Sequence, residues 1–477
     1  MAELTLLHTN DLHGSVAGLA RAAQLAREIR AECDAEGRAC LWWDAGDVEE
    51  WTVRESAASQ GAALWALLRA AGVDQATVGN GMLLTYGSGA LAGAAAAFGK
   101  PVLLAGVTEL GTGANPVGTA PFVLHDLGLL TLGVIGITVS IREYASLGFT
   151  VADPRAVLET WLPRVRAAGA DLVAVLSHCG SGRDKELAEH FGPSLAWIIS
   201  AHDHEIYPEP IIVNGVPIGE TGHRGAYLGR MDITLDREGV RELRGRLRPL
   251  DKSAPGDPAV EAAWQEQIAL HGSGLDRVVA TLAAPAPLCY EAESPLANLL
   301  ADAVRERTGA DAAVILPGHL RRGLNAGPVT VGDMIQVLGT PTHPAVVSLL
   351  GSQLRALLEW RLNPARMAWK PTPLRNKPAG QPAISGLRLT VDDTAPPGSR
   401  VAVLSLADGT PVDPDATYSV ASAYYDLHFG VLDELGPPRP TDLTLAAGPL
   451  GRTLTDYLAA RSPVEVPGMG RVRFVGR

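Results

Sequence analysis

The feature that most constrains the fold is a series of short apolar runs, each followed at once by side chains that can bind a metal ion. The first run, residues 4–7, is typical of a buried strand, and Asp11 and His13 follow it. Residues i and i+2 of extended backbone point the same way, so this carboxylate and this imidazole can reach one ion. The spacing alone does not establish a metal site, because a surface Asp beside a capping His has it too.

Later segments repeat this arrangement. The runs that predict strands include 39–43, 75–78, 171–176 and 197–200, and helical spacing predicts helices over segments that include 16–33, 54–71 and 88–98. Strands that alternate with helices predict an α/β sandwich, in which ligands collect at the carboxyl ends of the strands. Seven metal-type side chains fall at predicted strand ends, more than chance placement explains: Asp11, His13, Asp47, Asn80, His178, His202 and His204.

The length of the chain predicts two domains. Its 477 residues exceed what one core accommodates, and 47% of them are hydrophobic, enough for two cores. Residues 241–258 are charged and interrupted by prolines, which is typical of a boundary, and 257–271 has the pattern of a helix. We therefore predict a first domain over 1–253, a linking helix within 254–275 and a second domain over 276–477.

The charge of the chain limits its partners. A net charge of −12 argues against nucleic-acid binding, so an anionic substrate would have to meet local positive charge from arginines or metal ions. No apolar run is long enough to span a membrane, and no basic segment followed by an apolar one precedes the first strand. We therefore expect a cytoplasmic protein with reduced cysteines and with no membrane or nucleic-acid partner.

Taken together, the motifs resemble those of the two-domain 5′-nucleotidase family, whose first domain is a calcineurin-like metallophosphoesterase. The first-domain motifs are His8-Thr9-Asn10-Asp11-Leu12-His13-Gly14, Gly46-Asp47, Gly79-Asn80, Leu176-Ser177-His178 and His202-Asp203-His204. The second-domain motifs are Glu293-Ser294 with Asn298-Leu299, Leu320-Arg321, Gly327-Pro328-Val329-Thr330 with Gly332-Asp333, and Ser385-Gly386-Leu387. The resemblance implies a four-layer α/β/β/α metallophosphoesterase sandwich, followed by a smaller α+β domain that binds substrate.

The resemblance also implies a site with two divalent ions that hydrolyses phosphoester or phosphoanhydride bonds, in nucleotides or their derivatives. Mn²⁺ or Zn²⁺ suits such carboxylate, imidazole and amide ligands. By position in the motifs, the first ion would be held by Asp11, His13 and His204, and the second by Asn80, His178 and His202, with Asp47 bridging both.

The chain departs from the family at the residues that assist the leaving group. The family usually reads Gly-Asn-His-Glu with an Asp three residues after the His, but this chain has Gly81 in place of the His and Leu84 in place of the Asp. In this it is closest to a cytosolic bacterial branch that also lacks the His. His223 is either a surface loop residue or a substitute proton donor or substrate contact, and His319 is a second candidate that would face the cleft.

The second domain also departs from the family. Arg321 occupies the one kept position of an altered loop and is expected to contact substrate, whereas Gly339-Thr340-Pro341-Thr342 replaces the family's Pro-Phe-Gly-Asn. Tyr425 either stacks on a nucleobase or belongs to the core. Two alternatives therefore stay open: a related two-metal hydrolase of a non-nucleotide substrate, and a metal-binding regulatory protein that has lost catalysis.

Overall fold

The computed structural model describes residues 1–339, 342–371, 374, 377–428, 431–435, 440 and 442–476. Of the altered second-domain loop, Thr340 and Pro341 therefore lie outside the described residues. The chain divides into two compact units, Met1–Gly272 (unit 1) and Ser273–Arg477 (unit 2). The division falls within one helix, α8 (Pro258–Leu275).

Unit 1 alternates strands and helices along most of its length. Its strands are β1 (Ala2–Thr9), β2 (Ala39–Asp44), β3 (Gln75–Ala76), β4 (Val102–Leu103), β5 (Val107–Glu109), β6 (Thr119–Ala120), β7 (Phe122–Asp126), β8 (Thr131–Thr138), β9 (Phe149–Val151), β10 (Leu172–His178), β11 (Ile198–Ile199), β12 (Ile211–Val213), β13 (Val216–Gly219), β14 (Tyr227–Asp236) and β15 (Gly239–Pro249). Its helices before α8 are α1 (Val16–Glu36), α2 (Arg54–Ala58), α3 (Ala62–Ala71), α4 (Asn80–Tyr86), α5 (Leu91–Phe98), α6 (Pro154–Ala167) and α7 (Ser181–Phe191).

Two sheets face each other in unit 1. One has the strand order β15-β14-β1-β2-β3, and the other has the order β12-β13-β11-β10-β8-β7. Buried side chains of both sheets form one core, in which Trp43 of the first sheet stacks on Trp197 beside the second with ring centroids 5.9 Å apart. Helix α1 packs on β2 and β14 of the first sheet and α3 packs against α1, while α6 and α7 pack on the second sheet. The predicted four-layer α/β/β/α sandwich is therefore confirmed.

The pairing of the strands brings the predicted ligand loops to common edges. β1 runs parallel to β2, with Thr9 opposite Asp44, so the segments that follow these two strands leave the sheet at the same edge. β10 runs parallel to β11, with Leu176 opposite Ile199, so His178 and the residues after β11 also leave together. The loops that follow β1, β2 and β11 carry Asp11, Asp47 and His202, and His178 is the last residue of β10.

Unit 2 is a smaller α+β unit. Its strands are β16 (Val278–Leu282), β17 (Ala312–Ile315), β18 (Gly327–Thr330), β19 (Pro344–Leu350), β20 (Ala383–Ser385), β21 (Leu387–Asp392), β22 (Val401–Leu406), β23 (Thr417–Ala423), β24 (Thr444–Leu445) and β25 (Val472–Val475). Its helices after α8 are α9 (Pro295–Thr308), α10 (Val331–Val337), α11 (Gly351–Arg361), α12 (Pro364–Ala368), α13 (Tyr424–His428), α14 (Val431–Glu434) and α15 (Leu450–Ala459). The main sheet has the order β20-β17-β23-β19-β24, and its core packs against α9 and α15.

One predicted helix is wrong in its extent. The segment 54–71 forms two helices, α2 and α3, because Gly61 between them has a φ of 91°, which an α-helix cannot contain. In the described part of the chain, no single helix is both long and apolar enough to cross a membrane, although the bent pair Asn80–Tyr86 and Ser88–Phe98 meets both criteria together.

Candidate metal centre

The loop after β1 places Asp11 and His13 against the loop after β2. The backbone N–H of Asp11 donates to the carbonyl of Gly46 at 2.9 Å, and that of His13 donates to the carbonyl of Asp47 at 2.9 Å. Gly46 is required at this crossing, because its φ is 98° and a Cβ atom there would lie 2.7 Å from the amide nitrogen of Gly79. Three segments of the first sheet thus pack backbone against backbone at one point.

The second sheet supplies three of the predicted ligands, His178, His202 and His204. His178 is the last residue of β10, and its Nδ1 lies 2.8 Å from the carbonyl oxygen of Ala45. Donation of the Nδ1 hydrogen to that carbonyl leaves the lone pair of Nε2 free for a metal ion, which is the usual arrangement of a ligating histidine. His202 follows β11, and its ring meets that of His178 edge to face with centroids 5.3 Å apart.

The side chains form two groups that are compact enough to hold an ion. In the first, Asp11, His13 and His204 each offer a ligand atom, and the Nε2 atoms of the two histidines lie 3.5 Å and 3.4 Å from Oδ1 of Asp11. In the second, Nε2 of His178 lies 3.5 Å from Oδ2 of Asp47 and 4.0 Å from Oδ1 of Asp11. Asp11 therefore belongs to both groups, whereas the resemblance assigns the shared position to Asp47.

Three ligand atoms at this centre are buried without a hydrogen-bond partner among the described residues. They are Oδ1 of Asp11, Nε2 of His178 and Oδ1 of Asn80, the first residue of α4. Buried polar atoms are normally paired, because burying one without a partner costs free energy. A carboxylate oxygen, an imidazole nitrogen and an amide oxygen share only the ability to donate a lone pair, so the residues present fit a divalent cation.

Backbone strain is concentrated at the same residues. Eight non-glycine residues in the described part of the chain have a positive φ, and five of them are predicted ligands: Asp11, His13, Asp47, His202 and His204. Left-handed backbone costs about 1–3 kcal/mol per residue and persists where the surrounding structure fixes it. The strain is consistent with loops that are shaped to aim these side chains at one place.

A proton on His178 offsets part of the negative charge that Asp11 and Asp47 bring to the centre. Burial favours neutral His178, but the carboxylates of Asp47 and Asp11 outweigh burial and raise its pKa to about 10. Burial likewise opposes ionisation of Asp47, yet the neighbouring His178 and His13 lower its pKa to about 2. A divalent cation would take the place of the proton on His178, so metal binding at this centre should release a proton.

Asn10 holds the centre together in a way that the sequence did not predict. Its amide nitrogen donates to Oδ2 of Asp11 at 2.9 Å and to the carbonyl of Gly222 at 2.7 Å. Its amide oxygen accepts from the backbone N–H and the hydroxyl of Thr221 at 2.8 and 2.6 Å. The only sequence signal for this role is that Asn10 lies inside the first motif, beside Asp11.

The remaining predicted residues of unit 1 lie beside the centre. His223 is exposed and stacks on His204, with ring centroids 4.8 Å apart and planes inclined by 20°. Burial of part of its ring, together with the nearby His204 and Arg224, lowers the pKa of His223. The backbone N–H of Gly81 donates to Oδ1 of Asp47 at 2.9 Å, and Leu84 is buried in the core.

The predicted residues of unit 2 have different surroundings. His319 is completely buried, and its Nε2 lies 2.9 Å from Oδ1 of Asp426, which is also buried. This position does not suit a side chain that must exchange a proton with substrate. Arg321 is partly buried and donates from one terminal nitrogen to the carbonyl of Gly339 at 3.1 Å. Tyr425 lines a pocket with Trp360 and Trp369.

Comparison with known proteins identifies the second unit. Residues 278–431 match the family model described as the 5′-nucleotidase C-terminal domain. Most of unit 2 is therefore similar in sequence to a 5′-nucleotidase C-terminal domain. The predicted resemblance to the two-domain 5′-nucleotidase family is thereby confirmed, and the altered loops that carry Arg321 and Tyr425 lie inside the matched range.

Whole-chain relatives agree with this assignment. The chain is 28% identical over 358 residues to the uncharacterised metallophosphoesterase YunD of Bacillus subtilis, a match that covers 74% of this chain and 77% of YunD. It is 24% identical over 465 residues to a 5′-nucleotidase of Diplobatis ommata, covering 84% and 76% of the two chains. The names of these relatives agree with the predicted enzyme class, a metal-dependent phosphoric ester hydrolase.

A solved structure supports the fold of the whole chain. The NAD nucleotidase of Haemophilus influenzae superposes with a TM-score of 0.68 at 16% identity, covering 99% of both chains. At this identity the likeness concerns the fold alone, and it agrees with a metallophosphoesterase sandwich followed by a second domain.

Proposed function

We propose that this chain hydrolyses phosphoester or phosphoanhydride bonds, in nucleotides or nucleotide derivatives, with two divalent metal ions held by unit 1. The observation that carries the proposal is the convergence of Asp11, Asp47 and His178 at the ends of parallel strands, where Oδ1 of Asp11 and Nε2 of His178 are buried without a hydrogen-bond partner among the described residues. When bound, two divalent ions neutralise the charge of a phosphoryl group and activate a water molecule for attack. Manganese and zinc are the proposed metals, because both accept imidazole together with carboxylate.

The chain's own residues hold the ions and orient them. Asp11, His13 and His204 are the proposed ligands of the first ion, and Asn80, His178 and His202 those of the second, with Asp47 as the proposed bridge. Ala45 fixes the ring of His178, and Asn10 fixes the carboxylate of Asp11, since each makes a hydrogen bond to the ligand. Such supporting contacts keep ligands in place and are typically worth 10- to 100-fold in metal affinity or activity.

Leaving-group assistance is the step at which this chain differs from the family. Gly81 and Leu84 cannot donate a proton, and a positioned general acid is typically worth about 10²–10⁴-fold in rate. We propose His223 as the donor, because it is exposed and lies against His204. We do not propose His319, because it is buried inside unit 2.

The proposed function predicts a preference among substrates. Phosphoanhydrides and aryl phosphates release a weak base and need little protonation, so they should be cleaved faster than nucleoside monophosphates. The test is a series of aryl and alkyl phosphates at saturating Mn²⁺, in which log kcat/KM is plotted against the pKa of the leaving group. His223→Ala should steepen the dependence by slowing alkyl phosphates most. His190→Ala is the matched control, because His190 is also exposed and its Nε2 lies 3.8 Å from Oε1 of Glu159.

Three results would count against the proposal. A chain that binds two ions but turns over no phosphate ester would be the alternative named above, a regulatory protein that has lost catalysis. The replacement of the family's His–Asp pair by Gly81 and Leu84 favours that alternative. A flat dependence on leaving-group pKa, unchanged in His223→Ala, would mean that another residue supplies the proton. Activity towards aryl phosphates without activity towards any nucleotide derivative would indicate a non-nucleotide substrate.

Unit 2 is proposed to bind the nucleoside part of the substrate. The pocket that Tyr425 lines with Trp360 and Trp369 offers aromatic faces, on which a nucleobase can stack. Arg321 is the proposed contact for an anionic group, since a guanidinium can bind phosphate through two hydrogen bonds. We expect Arg321→Ala and Tyr425→Ala to raise KM for nucleotide substrates about tenfold or more. Arg322→Ala, which removes an exposed partner of Asp333, should leave KM unchanged.

A further inference from the structure

The loop of residues 222–225 lies directly beside the metal centre and presents two exposed side chains. It follows β13, and its second residue, His223, stacks on the predicted ligand His204. Its third residue, Arg224, is also exposed. Neither the motifs of the sequence nor the ligand groups assign a role to Arg224.

The backbone of this loop is fixed to the loop that carries Asp11. The N–H of Arg224 donates to the backbone carbonyl of Asp11 at 2.8 Å, and Gly222 accepts from the side chain of Asn10 at 2.7 Å. Gly225 packs against Gly18 so closely that a Cβ atom on Gly225 would lie 2.8 Å from the Cα atom of Gly18. The base of the Arg224 side chain therefore has a defined place next to the centre.

Arg224 has a left-handed backbone conformation, which glycine adopts at a lower cost in free energy. Its φ is 58°, between Gly222 at 74° and Gly225 at 63°. For a residue with a Cβ atom, left-handed backbone costs about 1–2 kcal/mol, whereas glycine adopts it without that cost. An arginine in the middle of a left-handed, glycine-flanked loop indicates a role for its side chain, since its backbone alone would favour glycine.

The charge of Arg224 is available to a ligand. Within the ranges that the structure describes, no residue forms a hydrogen bond or ion pair with its guanidinium. The chain as a whole carries a net charge of −12, and Asp11 and Asp47 add negative charge at the centre itself. An anionic substrate with more than one phosphate needs positive charge beyond that of the ions, and a guanidinium binds phosphate through two parallel hydrogen bonds.

We propose that Arg224 binds a second phosphate of a phosphoanhydride substrate, next to the phosphoryl group at the metal centre. The inference rests on the proposed function and names its substrate class: molecules in which the leaving group itself carries a phosphate. Arg224 is thus a residue that determines specificity and makes no contact with the reacting atoms.

The test compares two substrates that differ in the second phosphate. With the full chain saturated with Mn²⁺, kcat/KM is measured for ADP and for 4-nitrophenyl phosphate. Because a hydrogen bond to a charged group is worth about 1.5–3 kcal/mol, Arg224→Ala should lower kcat/KM for ADP about 10- to 100-fold. The value for 4-nitrophenyl phosphate should stay within about twofold. For ADP, kcat/KM of Arg224→Lys should lie between the values of wild type and Arg224→Ala, since lysine keeps the charge but loses the paired hydrogen bonds.

Arg244→Ala is the matched control, because the Arg244 side chain is 83% exposed and lies on the edge strand β15. Metal content is measured for every variant. An equal fall for both substrates, an unchanged value for ADP, or loss of bound ions in Arg224→Ala would each overturn the inference.

A binding measurement separates failure of the inference from failure of the proposed function. If the wild-type chain turns over neither substrate, the proposed function fails, and calorimetric titration with pyrophosphate and with orthophosphate decides the role of Arg224. Weakened binding of pyrophosphate alone in Arg224→Ala supports the inference. Equal binding by variant and wild type overturns it.

Discussion

Asp11 and Asp47 both follow parallel strands, but the oxygen atoms of their carboxylates have different partners. Oδ2 of Asp11 accepts hydrogen bonds from Asn10 and from the backbone N–H of His202, which leaves Oδ1 as its one oxygen for a metal ion. Oδ1 of Asp47 accepts from Gly81 at 2.9 Å, and its Oδ2 lies near His178. The family resemblance makes Asp47 the bridge, whereas Asp11 is the carboxylate common to both groups in the structure.

Replacement of each carboxylate decides between these two assignments. If Asp47 bridges the ions, Asp47→Asn should weaken the binding of both by at least about tenfold, because an amide has one neutral oxygen to offer. The measurement is the Mn²⁺ stoichiometry and affinity of the full chain by calorimetry, with Asp11→Asn beside it. Retention of one tightly bound ion in Asp47→Asn, together with loss of both in Asp11→Asn, would identify Asp11 as the shared ligand.

Asp184 provides a prediction about pH. It is fully buried and accepts a hydrogen bond from Ser177 at 2.6 Å, and burial raises its pKa to about 7. The unfolded chain loses this proton near pH 4, so between about pH 4 and pH 7 the folded state binds more protons. The free energy of unfolding should therefore fall as pH rises through this window, with a slope on the order of 1 kcal/mol per pH unit from this group.

Asp184→Asn should remove that slope. Urea unfolding at pH 5, 6 and 7 in the presence of a chelator should show the wild-type chain losing stability relative to the variant as pH rises. Asp126→Asn, at the exposed last residue of β7, is the control and should leave the profile unchanged. Parallel profiles for wild type and Asp184→Asn would show that the buried carboxyl does not retain its proton.

The proximity of the proposed ligands could be predicted from sequence, but the residues that support them could not. Asp11, Asp47 and His178 follow apolar strands, and the carboxyl ends of parallel strands meet at one edge, so local pattern indicates their proximity. Asn10 acts through Thr221, which is 211 positions away, and no local period encodes that pairing. His319 lies two residues before Arg321, from which we predicted that it would face the cleft, but it is buried and its partner Asp426 lies 107 positions away.

The apolar run 4–7 formed the predicted strand, whereas two other predicted elements differ from the structure in extent. Residues 4–7 lie inside β1, where the buried positions 4, 6 and 7 are leucine. The strand predicted over 75–78 is only Gln75–Ala76, because the chain turns early to begin α4 at Asn80. The helix predicted over 54–71 breaks at Gly61, where a Cβ atom would lie 2.8 Å from the side chain of Glu49. Packing between distant segments decided both outcomes.

Gly79, the residue before α4, offers a test of how closely this helix packs against the metal centre. Gly79 has a φ of −89°, which any residue adopts, so its backbone conformation does not require glycine. A Cβ atom there, however, would lie 2.0 Å from Oδ1 of Asp47 and 2.7 Å from Nε2 of His178. Gly79→Ala should therefore displace two predicted ligands and weaken Mn²⁺ binding by about tenfold or more, as measured by calorimetry.

Gly89 provides the matched control for this variant. A Cβ atom on Gly89 would meet no atom within 4 Å, so Gly89→Ala should bind Mn²⁺ as the wild type does. Circular dichroism of both variants separates a local effect at the centre from loss of fold. Unchanged affinity in a folded Gly79→Ala chain would mean that α4 can shift away from the centre without cost to the site.

At the scale of the whole molecule, the proposed substrate and the chain have charges of the same sign. The chain carries a net charge of −12, and two divalent ions would offset only part of it. Close to the centre, the ions and Arg224 would attract a phosphorylated substrate, while the rest of the surface repels it. The two effects act over different distances, so ionic strength should separate them.

Salt should therefore have opposite effects at low and at high concentration. The screening length is about 30 Å at 0.01 M and about 8 Å at 0.15 M, so the first addition of salt removes long-range repulsion and leaves short-range attraction largely intact. At 1 M the length is about 3 Å, and the attraction is weakened too. We expect kcat/KM for ADP at saturating Mn²⁺ to rise a few-fold up to about 0.15 M NaCl and then to fall. A steady fall of kcat/KM from the lowest salt concentration would mean that attraction near the centre outweighs repulsion by the net charge at every distance. In that case, kcat/KM of Arg224→Ala should rise with salt.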